Sequence, residues 1–306
     1  MLNRFKFGLG LILLLTLFSA CRDGQTIIVP DNNSPSYDGV PTIILENYIN
    51  RSYIDLLGRE PLDSELNRDV TLLRDGELEE AARRTFISKL QNSEDFVEGD
   101  SSYKQAYYQR FYESAKARML EGVADAEIRG QYGIYRFDAL RDSLNGDWVG
   151  YEKNLANMKK LQNILDARWQ YREGVIPINE VFGRMLYNYF YDQINMNSIN
   201  FIRACFNDLF FRYHTQAEFD ESFKIIEFGL PGQIFGQSAS DKEAYIDVLI
   251  NSREFHEGMI RWAYKNLLAR EPSAAESENF MKDFYTDKDF QKIQLDIMVT
   301  DEYANF

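Results

Sequence analysis

Three arginine–glutamate pairs are the first residues in this chain whose types and spacing invite a chemical reading. Arg59 and Glu65 stand in LLGREPLDSE, Arg212 and Glu218 in DLFFRYHTQAE, and Arg270 and Glu276 in LLAREPSAAE, each pair six positions apart. A guanidinium beside a carboxylate could hold an anion or tune a general acid. A reused catalytic site, however, needs an acid, base or nucleophile common to all copies. Beyond the pair itself nothing is common, for Glu60 and Glu271 match each other while Tyr213 stands at that place in the middle copy.

A folding role accounts for more of the residues. Pro61 and Pro272 follow their arginines by two positions and cannot continue a helix, so they force a turn. Thr215 to Glu218 and Ser273 to Glu276 fit the capping box, a hydroxyl at the N-cap with glutamate three later. Leu62 occupies that N-cap place in the first copy, leaving Asp63 to cap instead. The arginine is expected to reach carbonyls of the preceding helix end, or a carboxylate of its own module.

Other reactive types are scattered. His214 and His256 have no partner at metal-ligand spacing, so no metal is expected, and no cofactor. Cys205, in FIRACFNDLFF, lacks a local activating group and reads as a small buried hydrophobe. Ser238, in GQSAS, lacks the second glycine and the preceding strand of a nucleophile elbow. With 48 acidic residues some carboxylate pair is always available, so a hydrolase reading carries little weight.

Cys21 is the exception. Arg4 and Lys6 precede an apolar run from Phe7 to Phe18, and Ser19 and Ala20 stand before the cysteine, which is the anatomy of a cleaved bacterial lipoprotein signal. The run is too short to span a bilayer. Acylation of Cys21 is the expected anchor to a membrane. Cleavage before it would remove two positive charges and take the net charge from −14 to −16. Such acidity excludes nucleic acid as a partner. Arg22 after the cysteine favours the outer membrane, with the periplasmic or the extracellular face left open.

The elements that must carry these residues read as all-α, because apolar residues recur at helical steps and strand-like alternation is scarce. Each arginine turn sits between two helices, and each module closes on a Ser/Thr-x-acid-aromatic corner: NSEDF, NSREF and VTDEY. Phe96, Phe255 and Tyr303 are expected to plug the module cores. The expected order is a signal peptide at 1–20, a lipid-anchored flexible linker at 21–42, module 1 at 43–103 and a long-helix region at 104–198. Module 2 follows at 199–258 and module 3 at 259–306.

In this form the pattern Y..LLGRE......E with a Ser-x-Glu-Phe corner resembles small uncharacterised helical modules of secreted bacterial proteins. It is also distantly similar to phycobilisome linker domains, helical adaptors that hold other proteins together. The resemblance covers 43–98, 199–257 and 259–306. It implies assembly or binding and carries no catalytic residues.

Two regions depart from the repeat. Three long helices are expected in 104–198, one with an intramolecular stripe through Leu155, Met158, Leu161, Ile164, Leu165 and Trp169. The segment EFGLPGQIFGQSASDKEAY places Leu230, Ile234 and Phe235 among three glycines, as a loop either tucked onto the core or offered to a partner; it is the first candidate contact site. The tyrosine clusters AYYQRFY and LYNYFYDQ wrap around their helices and cannot all be buried on one side, so they are either a binding surface or a tyrosine-rich core and helix–helix seam. Together these features point to a non-enzymatic envelope lipoprotein that holds a protein assembly together. The alternative is a lipoprotein that binds surface glycans.

Overall fold

The computed structural model describes residues 37–97 and 100–306. The signal peptide, Cys21 and the linker up to residue 36 lie outside the described residues. Among the described residues, fifteen α-helices account for nearly all regular structure, accompanied by one 3-10 turn and a two-stranded hairpin. The fold is all-α. No described helix is long and apolar enough to cross a membrane.

The first copy of the repeat is α1 (Thr42–Leu57), α2 (Asp63–Asp75) and α3 (Glu80–Asn92). The intervening region holds α4 (Tyr103–Met119), α5 (Asp125–Leu144), α6 (Trp148–Arg172), α7 (Ile178–Leu186) and α8 (Tyr189–Asn195). The second copy is α9 (Ser198–Phe210), α10 (Gln216–Phe228), a hairpin of β1 (Gly232–Ile234) and β2 (Gln237–Ala239), and α11 (Lys242–Ile250). The third is α12 (Arg253–Leu268), α13 (Ala274–Asp287), α14 (Phe290–Met298) and the single turn α15 (Asp301–Ala304).

The modules are not separate bodies. Helix α12 runs unbroken across the boundary expected at 258/259, closing the second copy with its first turn and opening the third with the rest. Gly258 makes this sharing possible, because a Cβ there would stand 1.9 Å from the Leu209 carbonyl oxygen of α9. The two backbones cross where only glycine fits.

The last copy folds back on the first. The Tyr48 hydroxyl donates to the Met298 carbonyl at 3.2 Å, and Tyr303 donates to Asp55 at 2.8 Å. Arg51 donates to the carbonyls of Tyr303 and Leu267, while Arg83 and Arg84 pair with Asp301 and Asp296. Segments separated by 212 to 252 residues are thereby fastened.

Helix α4 sits at the centre, packed by α1, α3, α6 and α7. Tyr107, Tyr108, Phe111 and Tyr112 are all buried, so of the two readings of this cluster the core one applies. Packing from four helices buries most of its circumference and leaves a stripe through Gln105, Arg110 and Ala117 exposed. In the second cluster Tyr191 is buried, and Tyr187, Tyr189 and Phe190 pack half-covered against the core.

Candidate functional site

Each repeat turn is built the same way. The helix ends on a residue in the left-handed region: Gly58 at φ 75°, Phe211 at 56° and Ala269 at 53°. That twist swings the next residue, the arginine, back across the helix end. Its first Nη donates to the carbonyl of the following residue, Glu60, Tyr213 or Glu271, and to the glutamate six positions on. The second Nη takes the other oxygen of that glutamate, at 2.9 Å for Glu65, 2.6 Å for Glu218 and 2.7 Å for Glu276.

The glutamate in turn accepts the N-cap amide of Leu62, Thr215 or Ser273, at 2.7 Å in all three copies. Thr215 and Ser273 complete reciprocal capping boxes. In the first copy only the glutamate half exists, since Leu62 has no acceptor, and Asp63 lies inside the helix rather than capping it.

A second carboxylate closes each clamp. Glu254 receives Arg212 through Nε and Nη2, and Glu302 receives Arg270 in the same fork. Both acids belong to the Ser/Thr-x-acid-aromatic corner, so the corner's acid is there for the arginine. All five N–H donors of Arg212 and of Arg270 are thus engaged. Neither guanidinium has a hydrogen left for an outside anion.

The first copy differs. Arg59 Nε donates to Asp100 at 2.6 Å, beyond the NSEDF corner. Phe96 is 75% exposed, whereas Phe255 and Tyr303 are buried. The Phe96 expectation fails because no helix begins at this corner, as one does at Arg253 and Asp301: α4 starts only at Tyr103, where the Lys104 amide donates to the Ser93 carbonyl. Tyr103 enters the core instead and donates to Glu65 at 2.7 Å. Beneath it Asp69 is wholly buried, accepting the Tyr53 hydroxyl and the Lys89 ammonium.

A further partner went unread in the sequence although its signal was regular. Tyr53, Phe206 and Tyr264 stand six residues before their arginines, and each guanidinium lies over that ring at 5.4, 5.1 and 4.9 Å. Each module is therefore aromatic, arginine and glutamate at steps of six, closed by a distant acid.

The electrostatics follow from these contacts. Burial would raise Glu65, but the bonds from Arg59, Leu62 and Tyr103 outweigh it and hold its carboxyl at about 2. Arg212 holds Glu218 at about 2, and Arg270 does the same for Glu276. Carboxylates so tightly ionised do not exchange protons near neutrality.

The remaining candidates are accounted for by packing. His214 takes the place of the turn proline and packs, tilted, against Phe219 at 4.9 Å, in the manner of a hydrophobic staple before the N-cap. His256 is buried, its Nδ1 against the Ser252 carbonyl at 2.8 Å and its Nε2 without a partner, and burial lowers its pKa. Cys205 is fully buried, which raises its thiol far from reactivity. Ser238 is an exposed strand residue paired in register with Gln233. Among the described residues no group of three or more His, Cys, Asp or Glu could hold a metal ion.

The candidate contact loop is largely tucked in. Phe235 and Gly236 form a two-residue turn with positive φ at both positions, as the twist of a hairpin demands. Ile234 is 1% exposed, and Phe235 packs on Phe206 and Phe210. Only Leu230 is open. Its neighbours' apolar area is used inside the second copy, so this loop does not offer the three residues together to a partner.

Exposed apolar area lies elsewhere, on the α5–α6 hairpin. Ile134, Phe137, Leu140 and Leu144 of α5 and Trp148 and Val149 of α6 are all exposed, the last by 82%. A groove of about 460 Å³ runs beside them, lined by Phe137, Leu140, Tyr151, Leu155 and Met158. Of the stripe expected on α6, Leu161 and Ile164 are buried and Trp169 is exposed.

A second cavity of about 580 Å³ opens where α1, α4, α12 and α14 meet. Asp55, Arg110, Glu113, Asn266, Gln294 and Trp262 are among its walls. Burial raises Asp55, against the opposing pull of the Tyr303 hydroxyl and Arg51. Glu113 is engaged by Lys116 at 3.0 Å and by Gln109 at 2.7 Å. Each of the two carboxylates is thus held by protein partners of its own.

Comparison of the chain with protein-family models, with curated proteins and with solved structures found no significant match in any of the three.

Proposed function

We propose that this protein is a non-enzymatic lipoprotein of the cell envelope, anchored through Cys21, that holds a protein assembly together as a scaffold or adaptor. The observation that carries the reading is the apolar surface of the α5–α6 hairpin, where Phe137, Leu140, Leu144, Trp148 and Val149 stand exposed together. Clustered aromatic and aliphatic side chains of this kind mark contact surfaces. The engaged state of the clamp arginines supports a structural use for the repeat. Outer membrane is the favoured site, with the face open.

The test is mild crosslinking of the full chain in its native membrane, followed by recovery and mass spectrometry. A near-stoichiometric envelope protein that is lost with Phe137→Glu and Trp148→Glu supports the reading. Recovery of neither another envelope protein nor a crosslinked second copy of this chain overturns it. The cleft beside Trp262 and Asp55 favours a second reading, a glycan-binding lipoprotein, because it combines aromatic and polar walls. Binding of the full chain to a glycan array, abolished by Asn266→Leu, would move the assignment there.

A further inference from the structure

Helix α5 is apolar on two faces. Ile128 and Ala139 face inward and are buried, with Tyr132 and Tyr135 half-covered beside them. The opposite face carries Ala126, Gly130, Gly133, Phe137, Leu140 and Leu144, every one of them exposed. At the helical repeat these six fall within an arc of about 80° and run about 27 Å along the axis.

The stripe is graded. Its first half is small and its second half is large. Among the described residues, nothing beyond the helix's own neighbouring backbone comes within 4 Å of a Cβ built on Gly130 or Gly133, so no contact there requires these glycines. Exposed glycine inside a helix costs about 1 kcal/mol relative to alanine. Two of them on one outward face suit the close approach of another helix.

The grading also specifies which helix. Turned end over end about the level of Tyr135, α5 sets Phe137 over Gly133, Leu140 over Gly130 and Leu144 over Ala126. All three pairs are centred on the same point, the condition a two-fold axis imposes. We propose that α5 packs antiparallel against α5 of a second copy of this chain, each copy's large residues seated on the other's small ones. This names the partner of the contact surface proposed above and rests on that reading.

Charge agrees with the arrangement. The same axis brings Arg141 to within about 3 Å along the helix of Glu127 of the partner subunit, on the same side of the stripe. The exposed ionic residues of α5 are Glu127 against Arg129, Arg136 and Arg141. In a chain of net charge −14 this is a surface where two copies approach without the general repulsion. The groove lined by Tyr151, Leu155 and Met158 gives the incoming large side chains apolar room at one edge.

Disulfide trapping tests the geometry. Gly130→Cys and Leu140→Cys in one full-length chain place thiols face to face only in the antiparallel pair. The single variants leave equivalent thiols ten residues apart along the axis, about 15 Å and beyond disulfide reach. On oxidation in native membranes, the double variant should give at least tenfold more covalent dimer than either single variant or the parent chain. Adding Phe137→Glu and Leu144→Glu should reduce that dimer at least tenfold while leaving the thermal unfolding of the chain in place.

Equal trapping in single and double variants, trapping that survives the glutamates, or no dimer at all overturns the proposal. If no dimer forms while the crosslinking experiment above recovers another protein through the hairpin, the second copy falls and the contact-surface reading stands. If dissected vesicles of phospholipid bind the hairpin instead, the stripe is a membrane contact and the second copy falls as well. If nothing is recovered by any route, both readings fall.

Discussion

The Tyr303 hydroxyl donates to the Asp55 carboxylate at 2.8 Å, joining the last helical turn to the first long helix across 248 residues. Arg51 supports the same junction by donating to the Tyr303 carbonyl at 3.0 Å and by lying over the Tyr303 ring at 4.2 Å. The fold is closed by polar contacts laid over an aromatic core.

Tyr303→Phe should therefore destabilise the chain. The ring and its packing remain, but Asp55, whose side chain is only a quarter exposed, loses its hydroxyl donor. Leaving a buried acceptor unpaired costs about 1–3 kcal/mol. Urea unfolding followed by circular dichroism measures it, and an unchanged midpoint would show that the junction is held by packing alone.

Arg59→Lys should be more damaging than its conservative look suggests. A lysine cannot reproduce the fork onto Glu65, whose side chain is only 4% exposed. Removing one partner of a buried pair costs roughly 3 kcal/mol, reduced here because Arg59 itself is a quarter exposed. A double-mutant cycle with Glu65→Gln should give a coupling of about 1–3 kcal/mol. Additive effects would mean that the clamp is ornamental.

The clamp was legible in the sequence because it is local: arginine, glutamate and cap lie within seven residues and recur. The corner acids Glu254 and Glu302 were visible inside NSREF and VTDEY, yet nothing in one sequence says that they return to an arginine 32 or 42 residues away. Asp100 stands outside the corner motif, so the repeat does not point to it. Helix α5 was not singled out, since Gly130 and Gly133 interrupt its pattern and its two apolar faces cancel the amphipathic period. The Tyr303–Asp55 junction depends on three-dimensional closure and leaves no local trace.

Ala269→Gly should stabilise the third turn. Alanine there holds φ at 53°, where a Cβ costs about 1–2 kcal/mol, against about 0.5–1 kcal/mol for the extra freedom of glycine in the unfolded chain. The expected gain is about 0.5 kcal/mol. Gly58→Ala should lose stability, both from its φ of 75° and because the new Cβ would press on Arg110 Cδ at 3.1 Å. Thermal melts of the pair should shift in opposite directions.

Gly258→Ala should be among the least tolerated single-methyl changes. The added carbon meets the Leu209 carbonyl at 1.9 Å, and that oxygen belongs to backbone that cannot rotate away. Separating α9 from α12 disturbs the second and third copies together, at a cost of about 3 kcal/mol or more. A soluble variant with the parent's unfolding midpoint would mean that the crossing is looser than described.

Stability should fall as the solution is acidified, in two stages set by groups whose pKa the fold depresses. His256 is lowered by burial, so below its ordinary value near 6.5 the unfolded chain takes up the proton first and folding weakens. Glu65, Glu218 and Glu276, each held at about 2, contribute fully above the ordinary glutamate value. Their contribution is lost as pH falls from there toward 2, the steeper stage because three clamps protonate together. Asp55 works the other way, since burial raises its carboxyl and the folded form accepts a proton first, offsetting part of the loss. The urea midpoint should therefore decline gently from pH 7 to 5 and sharply below about 4.5. Glu65→Gln should flatten the second stage and leave the first alone. A midpoint as high at pH 3 as at pH 7 would rule out the clamps as a source of stability.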